Sequence, residues 1–143
     1  MEMWRKVWHE GLAPSISNEG LEALKVALAS DDERLLQGAT TVPPPFVQDW
    51  PVEAACALGF CGWTEIEKSL NEDEFVTVAE VESYFARLCF VCDQIIGEPA
   101  ACRYFLNWWD ESPRDEVLRE LGREVEKELE RRGNVAVTAG RGG

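Results

Sequence analysis

The chain has 143 residues, 45% of them hydrophobic and 29% charged, and a formal net charge of −13. That length and composition suit one domain with a real core and exclude a disordered chain. The charge argues against direct binding to a nucleic-acid backbone, which depends on clustered Lys and Arg, and the apolar runs fall short of the ~18 residues a membrane helix needs.

Residues Met1 to Trp8 hold no uninterrupted apolar stretch and no small-residue cleavage site, so we read no secretory signal there. The five cysteines, Cys56, Cys61, Cys89, Cys92 and Cys102, are odd in number and sit in helical surroundings. With no signal, that points to reduced thiols and a cytoplasmic protein.

Met3 to Gly11 reads as a short helix, with Trp4, Val7 and Trp8 on one face, Gly11 closing it and Pro14 blocking continuation. The only histidine, His9, lies here and has no nucleophile nearby in sequence. Ser17 reads as the N-cap of a second helix, with Ile16 and Leu21 as a hydrophobic staple and Leu21, Leu24 and Leu28 as its buried stripe. Ser30 to Glu33 has the form of a capping box, predicting a short helix through Leu35 and Leu36 that ends at Gly38. Asp31 and Asp32 are then partners of the helix dipole rather than metal ligands.

Residues 38–63 are the most constrained stretch. Pro43, Pro44 and Pro45 preset φ and lack N–H donors, so this loop is stiff and cannot enter a sheet interior. Asp49 and Pro51 predict the start of a small-residue helix that ends at Gly59 and Gly62. Phe46, Val47 and Trp50 are expected to pack the loop on the core. Thr64 to Glu67 again has capping-box form, and residues 65–76 make an acidic loop.

Thr77 and Glu80 form the third box, opening a helix over 78–96 with Val81, Phe85, Leu88, Cys92 and Ile95 on its core stripe and Gly97 at its end. Cys89, Phe90, Val91 and Ile96 widen the apolar face, so its second half should be nearly enclosed. The CxxC of Cys89 and Cys92 lies mid-helix on that face. A redox CxxC sits at a helix N-terminus, and a zinc site would need Cys56 and Cys61 as its second pair. We read buried structural thiols, and neither metal nor cofactor is called for. Pro99 restarts a helix to Trp109. Ser112 and Pro113 open a last helix over 113–132, with Leu118, Leu121, Val125 and Leu129 inward and pairs such as Glu116–Arg119 and Glu124–Lys127 outward. Val135 to Val137 is the one weak strand candidate.

The expected fold is therefore an all-α, compact single-domain bundle of five to seven helices over residues 1–132, with a Pro-rich internal loop. A flexible Gly-rich tail is expected over 133–143. No GxSxG, Walker A, HExxH or GxGxxG is present. Six tryptophans, Trp4, Trp8, Trp50, Trp63, Trp108 and Trp109, are many to bury in one small core, and Trp is frequent among interface hot spots.

The leading expectation is a non-enzymatic protein-interaction or adaptor module with a protein partner, basic in character, and no membrane or direct nucleic-acid contact. Gln48, Asp49, Trp50, Trp63, Trp108 and Trp109 are the candidate binding residues, and none is assigned to catalysis or metal. An acidic DNA-mimic inhibitor ranks second, and a small-molecule enzyme with a carboxylate-lined pocket third.

Overall fold

A computed structural model describes the backbone of residues 2–142 and the side chains of residues 2–133. Helix α1, Met3–Val7, turns Trp4 and Val7 inward. Gly11 does not close it. The chain widens into a π-helical stretch, Trp8–Leu12, in which Ala13 N–H reaches back to the Trp8 carbonyl, and then tightens into a 3-10 turn, Ala13–Ser15, around Pro14. Gly11 is needed for close approach instead. A Cβ there would lie 2.7 Å from the Cys92 sulfur and 3.0 Å from Ile96.

Helix α2, Asn18–Ala29, starts as its sequence predicts: the Ser17 hydroxyl accepts Gly20 N–H at 3.0 Å, and Ile16, Leu21, Leu24 and Leu28 are buried. Helix α3, Ala57–Glu67, is buried from Ala57 through Trp63. Helix α4, Val78–Ile96, has both halves of the Thr77/Glu80 capping box and stops at Gly97, whose φ is 82°. Helix α5 is Arg103–Glu111 and helix α6 is Arg114–Gly142. The described residues therefore form an all-α fold with six α-helices, plus one two-residue ladder in which β1, Thr41–Val42, runs antiparallel to β2, Ala54–Ala55. α2 lies between α3 and α6, α3 packs on α4, the π-helical stretch also packs on α4, and α1 packs on α5. No helix among the described residues is long and apolar enough to cross a membrane.

Tertiary bonds override local pattern in the middle of the chain. The predicted helix after Ser30 is absent. Ser30 ends α2 with its hydroxyl on the Val26 carbonyl, and Asp31 turns the chain at φ 49°. Asp32 caps the Arg34 N–H at 2.9 Å and grips its guanidinium at 2.7 Å. Arg114 then fastens this turn to α6, pairing with Asp31 at 2.9 Å and donating to the Leu35 and Asp32 carbonyls. Both acids are thus arginine partners.

The predicted helix start at Asp49–Pro51 is also displaced. Residues 52–56 are extended because their amides have distant partners: Val52 donates to Val76, Glu53 to Val42, Ala55 to Arg34 and Cys56 to Thr40. Ala54, Ala55 and Cys56 are small enough to fit that buried path. The helix begins only when the Cys56 sulfur caps Gly59 N–H. Gly59 and Gly62 do not end it. A Cβ on Gly59 would lie 3.0 Å from Val81, and one on Gly62 would meet the Tyr84 ring and lie 2.9 Å from its Cβ. Glycine here lets the Val81 and Tyr84 side chains of α4 seat directly on the α3 backbone. Thr64 lies inside α3 with its hydroxyl turned back to the Phe60 and Cys61 carbonyls, so no third short helix opens there. Residues 98–102 form a turn rather than helix, with Asp93 accepting the Ala100 and Cys102 N–H groups.

The aromatic core joins α1, the π-helical stretch and α5. Trp4 stacks on Trp108 with ring centroids 3.6 Å apart, and Trp8 stacks on Phe105 at 5.5 Å. On α6 the inward positions are Val117, Leu121, Val125 and Glu128, with Leu118 and Leu129 half-buried. Buried Glu128 is satisfied by Arg131 at 2.6 Å and by Arg132. The second half of α4 departs from expectation: Phe90 and Ile95 face outward. The strand candidate at 135–137 is overturned, because the backbone there continues α6 as helix past the expected end at 132; the side chains of the expected tail lie outside the described residues.

Candidate functional site

The loop between Gly38 and Trp50 is tied at both ends to helices. At its start, Gln37 donates to the Trp109 carbonyl at 2.7 Å and the Ser112 carbonyl at 3.0 Å, and Gly38 N–H donates to Asp110 at 2.9 Å. Thr41 donates its hydroxyl to Glu82 of α4 at 2.8 Å. At its end, the Trp50 carbonyl accepts Val78 N–H and the Gln48 carbonyl accepts Ala79 N–H. These are first-turn donors of α4, which have no partner inside their own helix. The loop backbone therefore completes α4, and two turns, Val47 N–H to Pro44 and Trp50 N–H to Val47, hold its shape between the anchors.

A backbone held this firmly displays large apolar side chains to solvent. Phe46 is 84% exposed and Trp50 62%. This corrects the expectation that both pack on the core; only Val47 is half-buried. Gln48 and Asp49 are exposed beside them, and Asp49 caps no helix.

A groove of about 390 Å³ borders the end of this loop. Its apolar lining is Val52, Trp63, Leu70 and Val76, and Phe75, itself 54% exposed, stands at its side. Glu67, Glu72 and Glu74 line it too, all exposed and none paired with a base among the described residues. Loop and groove are continuous. Val52 donates to the Val76 carbonyl at 3.0 Å, and Pro51 bridges Thr77.

Of the six sequence-predicted residues, the structure gathers four here. Gln48, Asp49 and Trp50 are on the loop, and Trp63 lies mostly buried in the groove wall. Trp108 and Trp109 serve α5 packing. Trp108 is half-buried against Trp4, and Trp109 is fully buried with its indole N–H on the Leu36 carbonyl at 2.8 Å. Trp109 reaches the loop only through its carbonyl, which holds Gln37. Sequence reasoning missed Phe75 and read the groove glutamates only as part of an acidic run, the basis of the DNA-mimic alternative, not as groove lining. The available signal was one aromatic in an otherwise acidic run.

The thiols are all buried and unbridged. Burial pushes Cys56 and Cys92 up to about 12, against the help Cys56 receives from its Gly59 hydrogen bond. Cys89 and Cys102 share a hydrogen bond that raises Cys89 and lowers Cys102. Among the described residues no group of His, Cys, Asp and Glu has a geometry able to hold a metal ion.

Comparison with protein-family models, with curated proteins and with solved structures finds no match to this chain.

Proposed function

We propose that the protein is a non-enzymatic protein-interaction module whose contact surface is the 42–50 loop with the adjoining groove. The observation that carries this reading is Phe46 and Trp50 held exposed on a backbone pinned to α4 and α5. Exposed aromatics on a pre-ordered loop lose little conformational entropy when a partner covers them, and a central tryptophan is a frequent hot spot. Phe75 extends the apolar surface beyond one loop.

The partner is a protein, with no direct nucleic-acid or membrane contact. Five unbridged cysteines support a reducing, cytoplasmic setting. The DNA-mimic reading rests on the net charge and the acidic run 65–82. Against it, Glu67, Glu72 and Glu74 of that run line a groove among apolar side chains, and Glu120, Glu124 and Glu128 on α6 are each paired with Arg or Lys. The groove carboxylates are exposed to water, which weighs against an acid–base enzyme that would depend on burial to tune them.

The test is affinity purification from the native host with wild type, Trp50→Ala and Phe90→Ala. Phe90 is a second exposed aromatic, 61% accessible. It lies twelve residues after Val78 on α4, about 18 Å along the helix. Neither substitution removes core packing, so both variants should fold within about 0.5 kcal/mol of wild type. The reading expects one partner lost with Trp50→Ala and kept with Phe90→Ala, its affinity falling by about 2 kcal/mol, or about thirtyfold. A partner set unchanged by Trp50→Ala would overturn it.

A further inference from the structure

We infer that the groove beside Trp50 receives an arginine side chain from an extended segment of the protein partner; this rests on the interaction reading above. The groove offers two chemistries side by side. Phe75 and the exposed edge of the mostly buried Trp63 give aromatic surface. Glu72 and Glu74 give carboxylates with no base beside them among the described residues, whereas Glu67 also faces the charge of Arg34. Residues 65–82 hold seven carboxylates and a single base, Lys68. Lys68 lines a different depression, with Glu19, Glu22 and Val26, and is not among the groove residues. The groove is therefore a negative field over an apolar floor. An apolar ligand alone would leave the carboxylates uncompensated, and an inorganic cation would leave the floor wet. A guanidinium on an aliphatic stem satisfies both, since its plane stacks on aromatic faces while its edge pairs with carboxylates. Lysine meets the charge but not the plane.

The protein already uses this combination internally. The Arg34 guanidinium lies 5.4 Å from the Trp63 ring centroid and 5.2 Å from that of Phe60. It is paired with Asp32 at 2.7 Å. The groove shares Trp63 with this set and lies beside it, and on its far side Phe75, Glu72 and Glu74 offer the same two chemistries with no guanidinium of the chain among the lining residues. Apolar residues flanking the partner's arginine would then reach Phe75, which lines the groove, and Trp50, two residues before its lining residue Val52.

The probe is a fluorescein-labelled, capped seven-residue peptide of Gly, Leu and Arg, compared with versions carrying Lys or citrulline in place of Arg. Binding is read by fluorescence polarisation at low and high salt against wild type, Glu72→Gln/Glu74→Gln and Trp50→Ala. Glutamine keeps an acceptor oxygen for the Asn71 N–H that Glu74 now accepts at 2.9 Å, so the turn is preserved. We expect the double variant to bind the Arg peptide about fivefold more weakly at low salt, with the difference shrinking as salt rises. Lys should bind more weakly than Arg, and citrulline most weakly. If citrulline binds as well as Arg, or the double variant as well as wild type, the arginine assignment is wrong. If Trp50→Ala still loses affinity in that case, the interaction surface stands without it. Loss confined to the glutamine variant, with Trp50→Ala unaffected, would keep the arginine site and overturn the loop reading. No binding of any peptide at about 1 mM, the weakest affinity usefully called specific here, overturns the arginine assignment outright.

Discussion

Replacing Gly62 with alanine should push α3 away from α4. The added Cβ would sit 2.9 Å from the Tyr84 Cβ and in contact with the ring beyond it. A Cβ is fixed to its backbone, so no rotamer of Tyr84 relieves the contact and the helices must part. Overpacking of this kind costs about 1–3 kcal/mol, and contact on both Cβ and ring argues for the upper end. Alanine in a helix interior returns about 1 kcal/mol, leaving a net loss of about 2 kcal/mol. Gly122 provides the matched control. It lies inside α6 with no heavy atom within 4 Å of an added Cβ, so Gly122→Ala should gain about 0.5–1 kcal/mol. Urea unfolding followed by circular dichroism measures both, and thermal midpoints should separate the variants by about 6–12 °C at this chain length. A Gly62→Ala protein as stable as wild type would refute the account that Tyr84 of α4 seats directly on the α3 backbone at Gly62.

Tyr84→Phe should be neutral or stabilising by up to about 1 kcal/mol in the same unfolding assay, because the Tyr84 hydroxyl is buried with no hydrogen-bond partner among the described residues. A loss above that would show a hidden partner. The native thiols should resist an aromatic disulfide reagent near neutral pH, with Cys102 the first to react, since its hydrogen bond from Cys89 lowers it. Rapid labelling unaffected by Cys102→Ser would contradict this. Cys56 and Cys92 are raised to about 12 in the fold, whereas unfolded thiols ionise near 8.5. Their contribution to stability is therefore full below about pH 8.5 and lost between there and about pH 12, so alkaline unfolding should be delayed by Cys56→Ala relative to its own stability at pH 7. Glu128 behaves oppositely. Burial acts to raise it, but hydrogen bonds and charge from Arg131 and Arg132 prevail and hold it below its ordinary range. Its contribution is present above about pH 4.5 and lost as pH falls through its folded value, so Glu128→Gln should flatten the acid limb of the stability profile.

The N-caps at Ser17 and Thr77 and the stop at Gly97 are legible in the sequence because each is an exchange of bonds among near neighbours. Residues 30–56 are not, because their partners are distant. Arg114 decides the turn at Asp31, and the carbonyls of Arg34, Thr40, Val42 and Val76 decide that residues 52–56 stay extended. Cys56 as a cap is illegible for a second reason: a thiol is a weak acceptor and carries no capping expectation. Gly59 and Gly62 illustrate an ambiguity of type. Glycine either ends a helix or lets a neighbouring side chain seat on its backbone, and only the presence of Val81 and Tyr84 opposite them chooses. The same limit governs the site. Trp50 and Trp108 have equal standing as sequence features, yet Trp4 covers one and the other is left 62% exposed. The apolar period of α4 was readable, but which side of its second half lacks a neighbour was not, so Phe90 and Ile95 were expected inside.

The central claim is that the pinned loop is where a partner sits. A photoreactive residue introduced as Trp50→p-benzoyl-phenylalanine, and separately as Phe90→p-benzoyl-phenylalanine, tests it in cells of the native host. Light should produce a single protein adduct from position 50 and none from position 90, and Phe46→Ala/Phe75→Ala should suppress that adduct without unfolding the chain. Adducts from position 90 alone, or an adduct at position 50 indifferent to the loss of Phe46 and Phe75, would contradict the claim.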